Sequence, residues 1–342
     1  MLHTLTYTIF SNMDFFTKVD IPASDLRIDY RSRIAFFGSC FADNISKQFS
    51  ARKFNVLANP FGTVYNPASI ARQIKAIADG KVFEENDIFM DERCDGLWHC
   101  WDAHSSLSGA TRKECIDKMN TANSQAREFL KTSDVVFLTL GTAFVYYLKD
   151  GDKPVSNCHR QDPSRFTRRM ISIEDAADAL RESVAYIRQL NSNARIVFTV
   201  SPLRHMGDGP HNNTLSKATL QLAINRILPR HGEQPKEAKQ SSVEYFTSYE
   251  IVMDELRDYR FYDSDMVHLS KSAEEYIFER MTETYCDEHT RTDIVHVEKF
   301  MKMANHRIQD TDSHATAMLK AKIKKQAIEL ERQIPGLDLS SL

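Results

Sequence analysis

Short apolar runs that stop at glycine or proline alternate along this chain with stretches whose hydrophobic residues recur at helical spacing. Arg33–Phe37 (RIAFF), closed by Gly38, has the form of a buried strand. Phe41, Ile45 and Phe49 follow at i, i+4 and i+8, one stripe of an amphipathic helix. Asn55–Ala58 reads as a second short strand and runs into the turn-rich segment Asn59–Pro67 (NPFGTVYNP). Asp134–Leu140 (DVVFLTL), closed by Gly141, is the clearest strand, and Arg195–Val200 (RIVFTV), closed by Ser201-Pro202, is another. Between them, Ser172 is placed to cap a helix carrying Leu180, Val184, Ile187 and Leu190 on one face. Thr214 is placed to cap the next helix, through about Leu228. Ser272 with Glu275 forms a capping-box pattern for a helix to about Tyr285. This alternation predicts an α/β fold, a mostly parallel sheet sandwiched between helices. Ligands of such sheets sit at the carboxyl ends of the strands, so chemistry is expected in the loops after Phe37, Leu140 and Val200.

Two segments break the pattern. Residues 80–118 hold Trp98, His99, Trp101 and His104 with few periodic runs, and read as an elaborated loop over one face. Residues 230–242 are polar and read as mobile. Leu319, Ile323, Leu330 and Ile334 predict a last amphipathic helix stopped by Pro335-Gly336. The expected organisation is one domain over residues 14–290 and a helical extension over 291–342, the latter a candidate homodimer contact. Met13 opens a natural start, so residues 1–12 read as an extension.

Composition narrows the class. Hydrophobic residues at 42% and charged residues at 27% fit a soluble globular protein and exclude collagenous or low-complexity chains. Forty-four basic against 47 acidic residues leave a net charge of −3, so no global field draws nucleic acid or anionic lipid. The longest apolar stretch, Val135–Leu148, is cut by Thr139, Gly141 and Thr142, short of the roughly 18–20 residues of a membrane span. Six cysteines without a CxxC pair fit neither a disulfide scaffold nor a zinc knuckle. A reduced, cytoplasmic setting with no metal and no cofactor is the expectation.

Two constellations carry candidate chemistry. Gly38-Ser39-Cys40-Phe41-Ala42 is a sharp strand-to-helix turn, where the positive end of a helix dipole favours a thiolate and the oxyanion it forms on attacking an acyl group. Ser39 and Cys40 are both able nucleophiles. Asp265-Met266-Val267-His268 allows a carboxylate to fold back onto the imidazole Nδ1–H, leaving Nε2 free to take the nucleophile's proton. Arg204 and His205 follow the strand ending at Val200, where an arginine can clamp a phosphate or carboxylate or pair with a surface acid. Asn157 and His159 are candidates to line the cleft or to hold a loop. Trp98 and Trp101 are candidates for a sugar-stacking lid, against ordinary loop packing. Asn212, Asn213 and Lys217 flank a helix start suited to an anion, although capping alone also explains them.

The residues at 38–42 resemble the motif that names the GSCFA family, a group placed with the SGNH/GDSL hydrolases. Asn59-Pro60-Phe61-Gly62, Leu140-Gly141-Thr142-Ala143, Asn157-Cys158-His159, Ser201 to His205 and Asp263 to His268 resemble the same family, over roughly residues 14–285. The resemblance implies a three-layer α/β/α sandwich, SGNH-hydrolase-like and flavodoxin-like. It lays the nucleophile on Cys40, or on Ser39 after a one-residue shift, and the base and its partner on His268 and Asp265. It lays an oxyanion-hole N–H on Gly62. Where the pattern has an asparagine oxyanion donor this chain has Ala143, so Thr142, Asn157 or another donor replaces it, or hydrolysis is not the reaction. The implied activity is an ester hydrolase for an acylated carbohydrate or small molecule. Acyl transfer to a glycan or small-molecule acceptor is the alternative, a non-catalytic carbohydrate-binding protein the rival. A redox protein using Cys40 needs a resolving cysteine nearby.

Overall fold

The strands that read most clearly in the sequence form the centre of the molecule, seen in a computed structural model that describes residues 17–90, 95–229, 243–305 and 314–340. Residues 1–12 and 230–242, for which expectations were stated, lie outside the described residues, as does Cys94. In chain order the first elements are β1 (Arg33–Gly38), α1 (Cys40–Ala51), β2 (Asn55–Ala58) and α2 (Pro67–Asp79). An antiparallel pair, β3 (Ile88–Met90) and β4 (Trp98–Cys100), precedes α3 (Arg112–Leu130). Then come β5 (Val135–Leu140), the short strands β6 (Phe144–Leu148), β7 (Lys153–Val155) and β8 (Phe166–Met170), and α4 (Ile173–Leu190). The chain continues through β9 (Arg195–Val200), α5 (Pro210–Ile227), β10 (Val243–Tyr245), the single turn α6 (Ser248–Glu250), α7 (Lys271–Tyr285), α8 (Glu288–Ala304) and α9 (His314–Gln333).

Among the described residues the main sheet has five strands in the order β10-β9-β5-β1-β2, all parallel. Its register pairs Gly38 with Thr139 and Leu140 with Val200, so β1, β5 and β9 end at one edge. Alternation along the strands sorts side chains to two cores. Ala35, Phe37, Val136, Leu138, Leu140, Ile196 and Phe198 are buried with residues of α2, α3, α4 and α5. Ile34, Phe36, Val135, Phe137 and Val197 face the opposite way, with α1, α7 and α8. The result is a three-layer α/β/α sandwich. Because β1 is flanked by β2 on one side and β5 on the other, a crevice opens at its carboxyl end, where such sheets place ligands.

Several element ends differ from the sequence reading. Ser172 caps α4 with a capping box to Asp175, as its position predicted. Helix α5 begins at Pro210, four residues before Thr214, because proline's fixed φ suits the first helical position. Ser270, not Ser272, caps α7, its Oγ accepting from the Ala273 N–H. Within the segment read as an elaborated loop, the described residues 80–90 and 95–118 hold the β3–β4 pair and the start of α3. The stretch read as one apolar run to Leu148 breaks at Gly141, and β6 leads a second antiparallel sheet of order β7-β6-β8. Val297, Phe300, Ile334, Leu337 and Leu339, from α8 and the segment after α9, are buried in one core with Ile28, Tyr30 and Phe49. Among the described residues no helix is long and apolar enough to cross a membrane.

Candidate active site

The turn after β1 is set by Gly38. Its φ is +133°, and a Cβ there would lie 2.0 Å from the Thr139 carbonyl oxygen of the neighbouring strand. The close approach lets the chain leave β1 abruptly, with Ser39 as the N-cap and Cys40 as the first residue of α1. Asp43, on the first turn of α1, accepts hydrogen bonds from Asn59 Nδ2 and Thr63 Oγ1, each 2.6 Å. The Asn59 Oδ1 accepts from the Gly38 N–H at 2.8 Å. This knot holds the loop after β2 against the top of β1. The loop is tied in turn to the end of β5, because the Tyr65 carbonyl accepts from the Gly141 N–H at 2.8 Å and the Thr142 N–H at 2.9 Å.

A cavity of about 460 Å³ opens where these loops meet. Cys40, Tyr65, Asn66 and Thr142 line it from the sheet edge, together with Ser201, Arg204 and His205 from the loop after β9. Phe144, Tyr146 and Arg168 of the antiparallel sheet form another wall with Asn157 and Cys158. Val267 and His268 line it from the loop before α7. The loop before α7 is shaped by Asp265, whose Oδ1 accepts from the N–H groups of Val267 at 2.9 Å and His268 at 2.8 Å. Its Oδ2 lies 2.5 Å from His268 Nδ1. The His268 bond and these N–H groups hold the Asp265 carboxyl down to about 2, so it is ionised at neutral pH. With Nδ1 engaged, His268 turns Nε2 to the remaining side.

The two nucleophile candidates are not equivalent. Ser39 is buried, its Oγ has no hydrogen-bond partner among the described residues, and it is not part of the cavity lining. Cys40 is half-buried and lines the cavity. Burial pushes its thiol up and the Asp43 carboxylate adds to this, against the N–H groups of Phe41 and Cys40 and the Lys217 ammonium. The expected thiolate is therefore not the resting form: desolvation outweighs the helix end.

Other candidates divide similarly. The Gly62 N–H is spent on the Asn59 carbonyl at 2.7 Å and Gly62 is not in the lining, so it is no oxyanion donor here. Thr142 lines the cavity, but its N–H is spent on Tyr65, and its Oγ1 bonds Ser216 Oγ and accepts from the Phe144 N–H. Asn157 lines it, with Oδ1 accepting from the His159 N–H at 2.7 Å. His159 is buried outside it, 2.8 Å from the Cys100 carbonyl through Nε2, and burial pulls its imidazole down to about 4. Arg204 is exposed at the cavity, and among the described residues no carboxylate pairs with it, whereas Arg168 pairs with Asp208. His205 packs edge-on against Tyr65, and burial, with Lys217 and Arg168 adding, pulls it down to about 4.

Trp98 does not reach the cavity: it stands beneath the Arg112 guanidinium and packs on the core, while Trp101 stacks on Phe89 at 3.6 Å. Asn213 is buried and holds the loop after β9, its Oδ1 accepting from the His205 N–H at 2.9 Å. Among the described residues no group of three or more His, Cys, Asp or Glu could hold a metal ion.

Asn66 was not legible as a site residue. Its Oδ1 caps α2 by accepting from the Ser69 N–H at 2.8 Å, which leaves Nδ2 without an acceptor among the described residues at a cavity-lining position. The sequence signal was an asparagine just before a proline, which reads as a cap alone.

The protein is thus an α/β sandwich whose parallel sheet carries a thiol, an imidazole and the carboxylate that holds it at its carboxyl edge. The chain belongs to the GSCFA family, whose match covers residues 33–281. No curated protein gives a sequence match. Among solved structures it is similar to a carbohydrate esterase family 3 protein from Talaromyces cellulolyticus, at 8% identity and a TM-score of 0.32, covering 78% of this chain and 99% of that one. It is similar also to the acetyl xylan esterase Est2A from Butyrivibrio proteoclasticus, at 14% identity and a TM-score of 0.31, covering 78% of this chain and 64% of that one.

Proposed function

We propose that this protein is an acyl-group enzyme that cleaves esters through Cys40, His268 and Asp265. The observation that carries the reading is the convergence of Cys40 and the Asp265-oriented His268 on one cavity. Since the thiol is held protonated, the first step needs a base: His268 Nε2 takes the Cys40 proton as sulfur attacks the acyl carbon. The N–H groups of Cys40 and Phe41, for which the start of α1 supplies no backbone acceptor, and Asn66 Nδ2 take the place of the Gly62 donor at the oxyanion. The His268 imidazolium then protonates the departing alcohol. Water, deprotonated by His268, cleaves the thioester and releases the acid. An acceptor hydroxyl in place of water gives acyl transfer. Tyr65, Phe144 and Tyr146 offer faces for a carbohydrate or apolar acyl portion, beside the polar Asn157 and Arg204.

The test is intact-mass labelling with an activated ester and with iodoacetamide, followed by peptide mapping. An acyl adduct on Cys40 that is absent in His268→Ala supports the reading. A folded protein that acquires no acyl adduct overturns it and leaves carbohydrate binding as the function. Cys158, in the same cavity, is the thiol a redox role would use, but burial pushes it up to about 11, which makes it a poor nucleophile.

A further inference from the structure

Lys217, on the inner face of α5, is 1% exposed. Its ammonium donates to the Gly141 carbonyl at 2.6 Å and the Ser201 carbonyl at 2.7 Å, and among the described residues no carboxylate pairs with it. Burying an ammonium without a counter-ion is costly, and a methionine would fill similar space without that cost. The position of the charge gives the reason. Gly141 and Ser201 are the first residues after β5 and β9, so Nζ bridges the two strand ends that border the cavity. Ser201 is itself part of the lining, and a Cβ on Gly141 would lie 3.1–3.2 Å from His205, Ser39 and Tyr65. The ammonium thus stands one residue behind the site. The charged or titratable groups that face it are Cys40 on α1 and Arg204 and His205 on the loop after β9.

We propose that Lys217 is a positioning residue that supplies the fixed cation of this site, holding the ends of β5 and β9 together and stabilising negative charge as it develops at Cys40. The neighbouring cations do not fill this role, because Arg204 is exposed to solvent and Arg168 is neutralised by Asp208. Burial pulls Lys217 down to about 7, so the cation is fully present in mildly acid solution and lost in base. The effect on the thiol stands by itself; only its consequence for ester turnover rests on the acyl-enzyme reading.

The first test is the rate of Cys40 alkylation by iodoacetamide in Lys217→Met. The expected result is a loss of about tenfold at pH 6 and no more than twofold at pH 10, where the lysine is neutral in either case. Equal rates at both pH values in a folded variant would overturn the proposal, since a merely structural lysine would not act in a pH-dependent way. A second measurement needs no substitution. Wild-type protein alkylated at Cys40 with iodoacetate carries a fixed negative charge there, and protein alkylated with iodoacetamide does not. By linkage the Lys217 titration, followed by NMR of its ε-methylene, should lie about one pH unit higher in the carboxymethyl form. Coincident titrations would again sink the idea. Ester turnover separates the two proposals: if Cys40→Ala abolishes it and Lys217→Met leaves it unchanged, the role of Lys217 in turnover fails and the acyl-enzyme reading stands. If the wild type turns over no ester while alkylation behaves as expected, the reading fails and the cation remains.

Discussion

Two neighbouring side chains at the turn after β1 meet opposite fates. The Ser39 hydroxyl is buried without a partner among the described residues, so deleting it removes an unsatisfied group and not a useful bond. Ser39→Ala should therefore leave thermal stability within about 0.5 kcal/mol of wild type and acyl labelling unchanged, whereas Cys40→Ala should lose the adduct altogether. Melting curves and intact mass read both outcomes. Asn66 allows a finer test because its two amide ends do different things. Asn66→Asp keeps an oxygen to cap α2 and removes the donor, so turnover should fall by about 10²-fold with the fold intact. Asn66→Ala should lose the cap as well, at about 1 kcal/mol of stability. Unchanged turnover in the aspartate variant would restrict Asn66 to capping. Cys40 and the Asp265–His268 pair were legible in the sequence, because a nucleophile at a strand-to-helix turn and a carboxylate three residues before a histidine are local patterns. Asn66 and the inward turn of Lys217 were not, since each depends on which neighbour happens to take up the other polar atoms.

Among the elements, β1, β5 and β9 announce themselves because they are buried on both faces and read as continuous apolar runs between glycine and proline stops. The glycine that ends β1 is under the tightest constraint. Gly38→Ala would drive a Cβ into the Thr139 carbonyl and impose a positive φ on alanine, and we expect the variant to be recovered insoluble or without the native melting transition. A soluble, cooperatively melting G38A protein would mean that the β1–β5 contact can relax. The strands of the second sheet escaped notice because each is short and carries basic or aromatic residues on exposed positions, as in Phe166–Met170. Helix α2 did carry a signal, with Ile70, Ile74 and Ile77 on one face behind an Asn-Pro start, but the turn-rich loop before it obscured that start.

At the scale of the molecule the C-terminal helices belong to the core beneath α1 and α7. Val297, Phe300, Met301, Ile334, Leu337 and Leu339 are all buried there, each worth roughly 1.5–3 kcal/mol, and Arg52 of α1 pairs with Glu298 of α8. Truncation after residue 290 should remove more than a domain's usual margin of roughly 5–15 kcal/mol can spare. The shortened chain is expected to aggregate, and a soluble, two-state truncation product would show that 291–342 is dispensable. Acid should also weaken the fold. His159 and His205 are held neutral by burial, near 4 against 6.5 in an unfolded chain, so below pH 6.5 the unfolded state binds protons that the native state refuses. The contribution of these histidines should be fully present above about pH 6.5 and be lost toward pH 4, by on the order of 3 kcal/mol per histidine. Urea unfolding at pH 7 and pH 5 measures this in a range where carboxylates contribute little.

Four of the five strands of the parallel sheet (β1, β2, β5 and β9), the stops that end them, and the local chemistry of the Cys40 turn and the Asp265–His268 loop could be read from the amino-acid sequence. These depend on hydrophobic period, on glycine and proline stereochemistry, and on contacts within a few residues. Tertiary structure decided which of Ser39 and Cys40 faces the cavity, that the Gly62 and Thr142 N–H groups are already spent, that Trp98 lies elsewhere, and that Lys217 turns its charge inward. Each of these is a question of burial and of hydrogen-bond partners brought from distant parts of the chain, and desolvation, which no local pattern records, outweighs the helix end at Cys40.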